Sequence, residues 1–363
     1  MKRDVTKESK KTGSKENRKP RKVDPMKFIE KCARRIEKCT KWIEEFANDY
    51  VVYIERGDLK HDIGYLEGAL ADYNAALAIC PDDISGLNNR GTVRSDMGDL
   101  QGAIADYEKA IVIDPNYREP YHNLAIAYRD SGNVQEAIIE FSKAIEIDPF
   151  YADAWFGRAE AKSTLGNATG AVEDYNIAIC IDSEYAKAWY FRGLEKYMLD
   201  DDQGAIDDFD QALEIDPTLT EIYYNRGLAK DSAHDYDGAI DDFTNAIMIN
   251  PKYALAYLQR GDVRFEIFDY EGSLADNLKA IELDPGLNEA YVLIGILKCE
   301  MDDYRGSFDA FSHVITINPQ YARAWFLRGI MQLDLGYNDA GLEDVNKAAS
   351  LGSKDARTFL NEL

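Results

Sequence analysis

Small and apolar side chains recur along this chain in two alternating helical stripes separated by short polar breaks. In residues 220–253, Tyr223, Gly227 and Lys230 fall at offsets of four and three, and Ala239, Phe243 and Ala246 repeat that spacing further on. Such offsets place each set on one face of a helix, so the stretch predicts two helices joined by a turn. The pattern returns every 34 residues. Proline marks the step at Pro81, Pro115, Pro149, Pro217, Pro251, Pro285 and Pro319, and Ser183 fills the missing place. The residue before proline is pushed out of the α region, so each Asp/Asn-Pro pair ends a second helix. Gly98, Gly132, Gly166 and Gly336 stand where a first helix must stop and turn.

Nine units follow, running 50–83, 84–117, 118–151, 152–185, 186–219, 220–253, 254–287, 288–321 and 322–355. The terminal units of a stacked array expose apolar faces and need covering. Phe28, Cys32, Ile36, Cys39, Ile43 and Phe46 lie at helical spacing within residues 25–47, and Phe359 and Leu360 close the chain. We therefore expect a disordered basic tail over 1–23, a capping helix over 24–49, nine repeats over 50–355, and a short capping helix over 356–363.

These units resemble the tetratricopeptide repeat (TPR). That motif asks for an aromatic at repeat position 4, small residues at 8, 20 and 27, an aromatic at 24 and proline at 32. Residues 186–219 answer with Trp189, Gly193, Ala205, Phe209, Ala212 and Pro217. Departures are local: Ser273 and Asn277 in the seventh unit, Ser307 and Val314 in the eighth. The resemblance covers 50–355 and implies an all-α, right-handed superhelical solenoid of about nine helix-turn-helix repeats, with a concave groove lined by the first helices. It also implies a protein-interaction scaffold that binds a peptide or partner segment in that groove.

Position 7, usually leucine in the family, is here Arg56, Arg90, Arg158, Arg192, Arg226, Arg260 and Arg328. Asp72, Asp106, Asp174, Asp208, Asp242, Asp276 and Asp344 stand at position 23 of the same units. The two repeats without Arg, with Leu124 and Ile294, carry Glu140 and Ala310 there. The matched exceptions predict an Arg–Asp pair tying the two helices, because a planar guanidinium engages a carboxylate bidentately.

If positions 4, 7, 8 and 11 face the partner helix, positions 2, 5, 6, 9, 12 and 13 turn to the groove. Position 6 holds Asn89, Asn123, Asn225 and Gln259, and an amide there grips peptide backbone in several TPR arms. Where that ladder breaks, the expected groove turns apolar: Tyr190, Phe191, Leu194, Tyr197, Tyr224, Leu228, Leu258, Phe265, Leu293, Ile296, Phe326 and Leu327. Such a stripe forms an exposed patch unless a partner or a neighbouring repeat covers it. The Lys, Asn and Arg positions of a carboxylate clamp for chaperone tails are not assembled in three consecutive repeats, so such tails are not expected partners.

Charge sharpens the picture of the partner. Residues 1–23 hold ten Lys/Arg against three Asp/Glu, so the remainder carries a net −31 within a chain of net −24. So acidic a body repels phosphate backbones and favours a basic partner. A second reading keeps a ribonucleoprotein-associated factor, in which the tail contacts nucleic acid and the repeats recruit protein. Five scattered cysteines without CxxC, and no long apolar run, lead us to expect a cytoplasmic protein with no membrane segment. Isolated histidines and the absence of HExxH, GxSxG or a phosphate loop predict no catalytic residue, metal or cofactor.

Overall fold

A computed structural model describes residues 24–363, and among these every regular element is an α-helix. The basic segment 1–23 lies outside the described residues. The chain divides into two compact units, one ending at Ile147 and the other running from Asp148 to Leu363.

The first unit holds α1 (Pro25–Glu45) and three hairpins: α2 (Tyr50–Asp62) with α3 (Leu66–Ile79), α4 (Ile84–Asp96) with α5 (Leu100–Ile113), and α6 (Arg118–Asp130) with α7 (Val134–Ile147). The second begins with α8 (Ala152–Thr164) and α9 (Ala168–Ile181), α10 (Ala186–Met198) and α11 (Asp202–Ile215), then α12 (Thr220–Ser232) and α13 (Tyr236–Ile249). It continues with α14 (Ala254–Glu266) and α15 (Tyr270–Leu283), α16 (Asn288–Glu300) and α17 (Tyr304–Ile317), α18 (Ala322–Asp334) and α19 (Asn338–Ser350), closed by α20 (Lys354–Glu362). Each unit is an α-solenoid in which a hairpin packs on the next.

The small residue at position 8 sets how closely a hairpin closes. A Cβ on Gly227 would lie 2.8 Å from the Phe243 ring, and one on Gly91 2.5 Å from Tyr107. Those rings are buried with the alanines at positions 20 and 27, forming one small core per repeat. The seventh repeat replaces the ring with Asn277, which donates to the Ser273 carbonyl and leaves its own side-chain oxygen buried without a partner among the described residues. At the ends, α1 buries Cys32 and Cys39 against Leu59, while Phe28 and Phe46 of the expected stripe remain exposed. Helix α20 covers the last hairpin with Phe359 and Leu360.

The turn within each hairpin passes through the left-handed region at position 15. Glycine holds φ between 76° and 85° at Gly64, Gly98, Gly132, Gly166 and Gly336. In four consecutive repeats the place is taken by Asp200, His234, Phe268 and Asp302, with φ of 60° to 64°. A Cβ is strained there, most of all on a bulky side chain. Phe268 is 77% exposed, so little burial offsets the strain. Phe268→Gly is expected to raise stability by about 1 kcal/mol, read from urea unfolding. A loss of stability would mean that the contact of its ring with Tyr270 outweighs the strain.

Candidate interaction surface

The position-7 arginines reach the carboxylates that the spacing assigns to them. Arg226 donates from Nε to Asp242 Oδ2 at 2.8 Å and from Nη2 to Oδ1 at 2.5 Å. The same two-pronged contact joins Arg56 to Asp72, Arg90 to Asp106, Arg158 to Asp174, Arg192 to Asp208, Arg260 to Asp276 and Arg328 to Asp344. All seven aspartates are buried. Arg192, Arg226 and Arg260 also bond Asn176, Asp210 and Thr244 of the preceding repeat, so each arginine ties a hairpin and its neighbour. Burial works against the Arg226 charge, yet its bonds to Asp242 and Asp210 more than offset this and hold its pKa above the usual value. These arginines are spent within the scaffold.

A second cation completes the arrangement, and sequence reasoning missed it. Lys60, Arg94, Lys162, Lys196, Lys230 and Arg264, at position 11, meet the same carboxylates at 2.7 to 2.9 Å. The signal was present: six of the seven repeats with an Arg–Asp pair carry Lys or Arg there, and Gln332 takes the place in the seventh.

The position-6 amides lie on the first helices as expected, and they bond side chains and backbone around them. Asn89 donates to Asp58 (2.9 Å), Tyr73 donates to the same carboxylate (2.6 Å), and Asn123 donates to Asn88 (2.9 Å). Asn88 in turn donates to Asn89 at 3.2 Å, which makes a continuous polar string across α2, α4 and α6. Burial and the Asp58 bond push the Tyr73 phenol well above its usual pKa. In the second unit, Asn225 donates to the Tyr190 hydroxyl (3.0 Å) and to the Glu221 carbonyl (2.8 Å).

The apolar residues are half-buried, apart from the buried Leu258 and Leu293, and pack on their neighbours. Tyr190, Leu194 and Tyr197 pack against the core around Phe209, while Phe191 meets Phe156 edge-on and lies parallel to Tyr175. Tyr224 lies against Phe243 and Tyr253, Leu228 joins the same core, and burial pushes the Tyr224 phenol up to about 12. Phe265 meets Tyr270, Leu327 packs around Phe311, and Phe326 is covered by Phe359 of α20. Positions 5 and 9 thus pack on the ring of their own hairpin, and position 6 packs against rings of the preceding repeat.

One place keeps polar and apolar members of the expected groove together and open. Leu258, Gln259, Leu293 and Ile296 line a cavity of 140 Å³ with Asp262, Glu289 and Arg323, on α14, α16 and α18. Partial desolvation, then the charge of Glu266, raises the Asp262 pKa against the pull of Arg323.

Models of the TPR repeat match residues 57–98, 91–129 and 127–166, and models of the tetratricopeptide repeat match 186–219 and 220–253. The chain belongs to the tetratricopeptide repeat family. Solved TPR structures share its fold. A TPR protein from Parabacteroides merdae is 23% identical over 69% of this chain and 98% of its own, with a TM-score of 0.50. The C-terminal part of a TPR repeat-containing protein from Cytophaga hutchinsonii is 17% identical over 64% and 96%, with a TM-score of 0.56. A chain of the APC/C hetero-tetramer Cut9–Hcn1 is 17% identical over 82% and 59%, with a TM-score of 0.50. No curated protein matches the sequence. As a TPR protein the chain is built for protein interaction, and no helix among the described residues is long and apolar enough to cross a membrane.

Proposed function

We propose that this TPR protein is an interaction scaffold that holds a segment of a protein partner along its first-helix faces, most firmly at α14, α16 and α18. The observation that carries this reading is the cavity in which Leu258, Leu293 and Ile296 meet the carboxylates of Asp262 and Glu289. Apolar walls beside acids suit a segment that presents an aliphatic side chain next to Lys or Arg. The net acidity of residues 24–363 favours the same partner. Gln259 adds an amide able to donate to and accept from one peptide unit.

Selection of short displayed peptides on the full chain tests this. The expected consensus joins a basic to an aliphatic residue, and Asp262→Asn weakens the selected peptides by about tenfold. An acidic consensus, or affinities unchanged in Asp262→Asn, would overturn the reading. The pH dependence has a defined sign. Asp262 protonates at a higher pH than an ordinary aspartate, so affinity falls as pH is lowered into that raised range. The free protein's stability moves the other way over the same range, because a carboxyl with a raised pKa is more favourable in the fold when protonated.

A further inference from the structure

One repeat keeps the Arg–Asp pair without the position-11 cation, and a pocket lies beside it. In the first repeat, Lys60 runs from α2 to Asp72 Oδ2 at 2.7 Å, donates to the Gly68 carbonyl at 3.3 Å, and places its ammonium 5.9 Å over the Tyr65 ring. These groups occupy repeat positions 11, 23, 19 and 16. In the ninth repeat the same positions hold Gln332, Asp344, Ala340 and Tyr337. The ring and the carboxylate are kept, and the lysine is gone. Asp344 receives Arg328 at 2.7 and 2.9 Å, with no second cation among the described residues.

A cavity of 440 Å³ lies there, with Gln332 and Ala340 in its lining. Tyr337 is joined by two further rings from α17, Tyr304 and Phe308, and by Met331 and Leu335 of the last hairpin. All three rings are exposed. The side-chain oxygen of Gln332 is buried and has no hydrogen-bond partner among the described residues. The lining is thus mainly aromatic and aliphatic, with Arg305 and Gln332 as its polar members and the unmet Gln332 oxygen buried behind the wall. A buried acceptor without a donor is costly, and aromatic faces attract a cation.

We propose that this pocket binds the side chain of a lysine from a protein partner, supplying in trans a cation where six other repeats supply one from position 11 as Lys or Arg. The aliphatic stem lies along Met331 and Leu335, the ammonium sits among the three rings, and the Gln332 side chain turns its buried Oε1 toward it to accept. A charged head on an apolar stem matches this lining better than a wholly apolar or a wholly polar group. Arg305 is the like charge among the lining residues, so Arg305→Ala strengthens binding. The site is separate from the α14–α16–α18 cavity, and its failure leaves that reading untouched.

The test is titration of the full chain, labelled with ¹³C in its methionine methyls, with N-acetyl-lysine-N′-methylamide. The Met331 signal, assigned through Met331→Leu, is expected to shift saturably. The norleucine analogue, which keeps the stem and lacks the ammonium, binds roughly tenfold more weakly. Gln332→Lys fills the site from within and abolishes the shift, while melting no lower than the parent. Tyr337→Leu, a variant at an exposed position, weakens lysine binding severalfold without loss of fold. Equal or tighter binding of the norleucine analogue would reduce the pocket to an apolar one and overturn the proposal. So would tighter binding of the arginine analogue, a response retained in Gln332→Lys, or no shift of Met331 at all.

Discussion

Replacing Asp242 with leucine is expected to lower the unfolding free energy by about 3–5 kcal/mol. The carboxylate is 1% exposed and is the meeting point of two cations, receiving Arg226 on both oxygens and Lys230 on Oδ2 at 2.8 Å. Leucine removes the one anion that both share, and their side chains are only 16% and 18% exposed. Arg226 keeps Asp210 as a partial partner, whereas no other acid is paired with Lys230 among the described residues. The reciprocal change, Arg226→Leu, should cost less, because Lys230 still neutralises Asp242. Asp241→Asn, at the exposed neighbouring position, should stay within about 0.5 kcal/mol of the parent. Urea unfolding, with hydrogen exchange read at α12 and α13, measures all three. Equal losses in Asp242→Leu and Asp241→Asn would show that the triad contributes nothing. Replacing all three members by leucine is expected to recover most of the loss, since a well-packed apolar substitute for a buried ion cluster is often neutral.

That pair was legible before any coordinates because the chain compares itself with itself. Arg at position 7 and Asp at 23 come and go together across the repeats, and Leu124 with Glu140 and Ile294 with Ala310 supply the exceptions. The hairpins were legible for the same reason, through the 34-residue return of Asp/Asn-Pro. Lys230 was placed on the inward face but given no partner, because a lysine on a helix is ordinarily a solvated head on an apolar stem. Only the approach of α13 makes its head a partner of Asp242. The apolar positions 5, 6 and 9 were assigned to the groove, yet their depth depends on how closely first helices stack, which spacing does not encode. Leu258 and Leu293 are each 7% exposed, and what remains open is the cavity edge they share with Asp262. The amides show the same limit. Asn89 and Asn123 stand where expected, but their bonds to Asp58 and Asn88 depend on distances between repeats. The open pocket at Gln332 could have been suspected from the missing position-11 cation, though its size needed the exposed rings of α17.

The second large effect is expected at Gly329, where alanine should cost about 1–3 kcal/mol. Position 8 usually faces a ring, and Ala125 and Ala159, buried in their own repeats, show that the ring can make room for a methyl. The ninth repeat has Val345 in place of the ring, and α18 and α19 come together backbone to backbone. A Cβ on Gly329 would meet the Gly341 carbonyl oxygen at 2.8 Å and the Val345 amide nitrogen at 3.0 Å. From the other side, a Cβ on Gly341 would meet the Gly329 carbonyl oxygen at 2.8 Å. No rotamer change relieves a clash with backbone, so the helices must separate. Gly227→Ala, where the three nearest atoms all belong to the Phe243 ring, should cost less than Gly329→Ala. The double change Gly329→Ala with Gly341→Ala should fall short of additivity, because one separation of the helices accommodates both methyls. Urea unfolding of the three variants decides it, and a Gly329→Ala loss no greater than that of Gly227→Ala would refute the backbone argument. Separation also stretches the span bridged by Arg328 and Asp344, and moves Met331 and Gln332 away from Ala340. Gly329→Ala should therefore weaken capture of the lysine analogue even at temperatures where the repeat remains folded, which ties the shape of that pocket to the closest helix contact in its repeat.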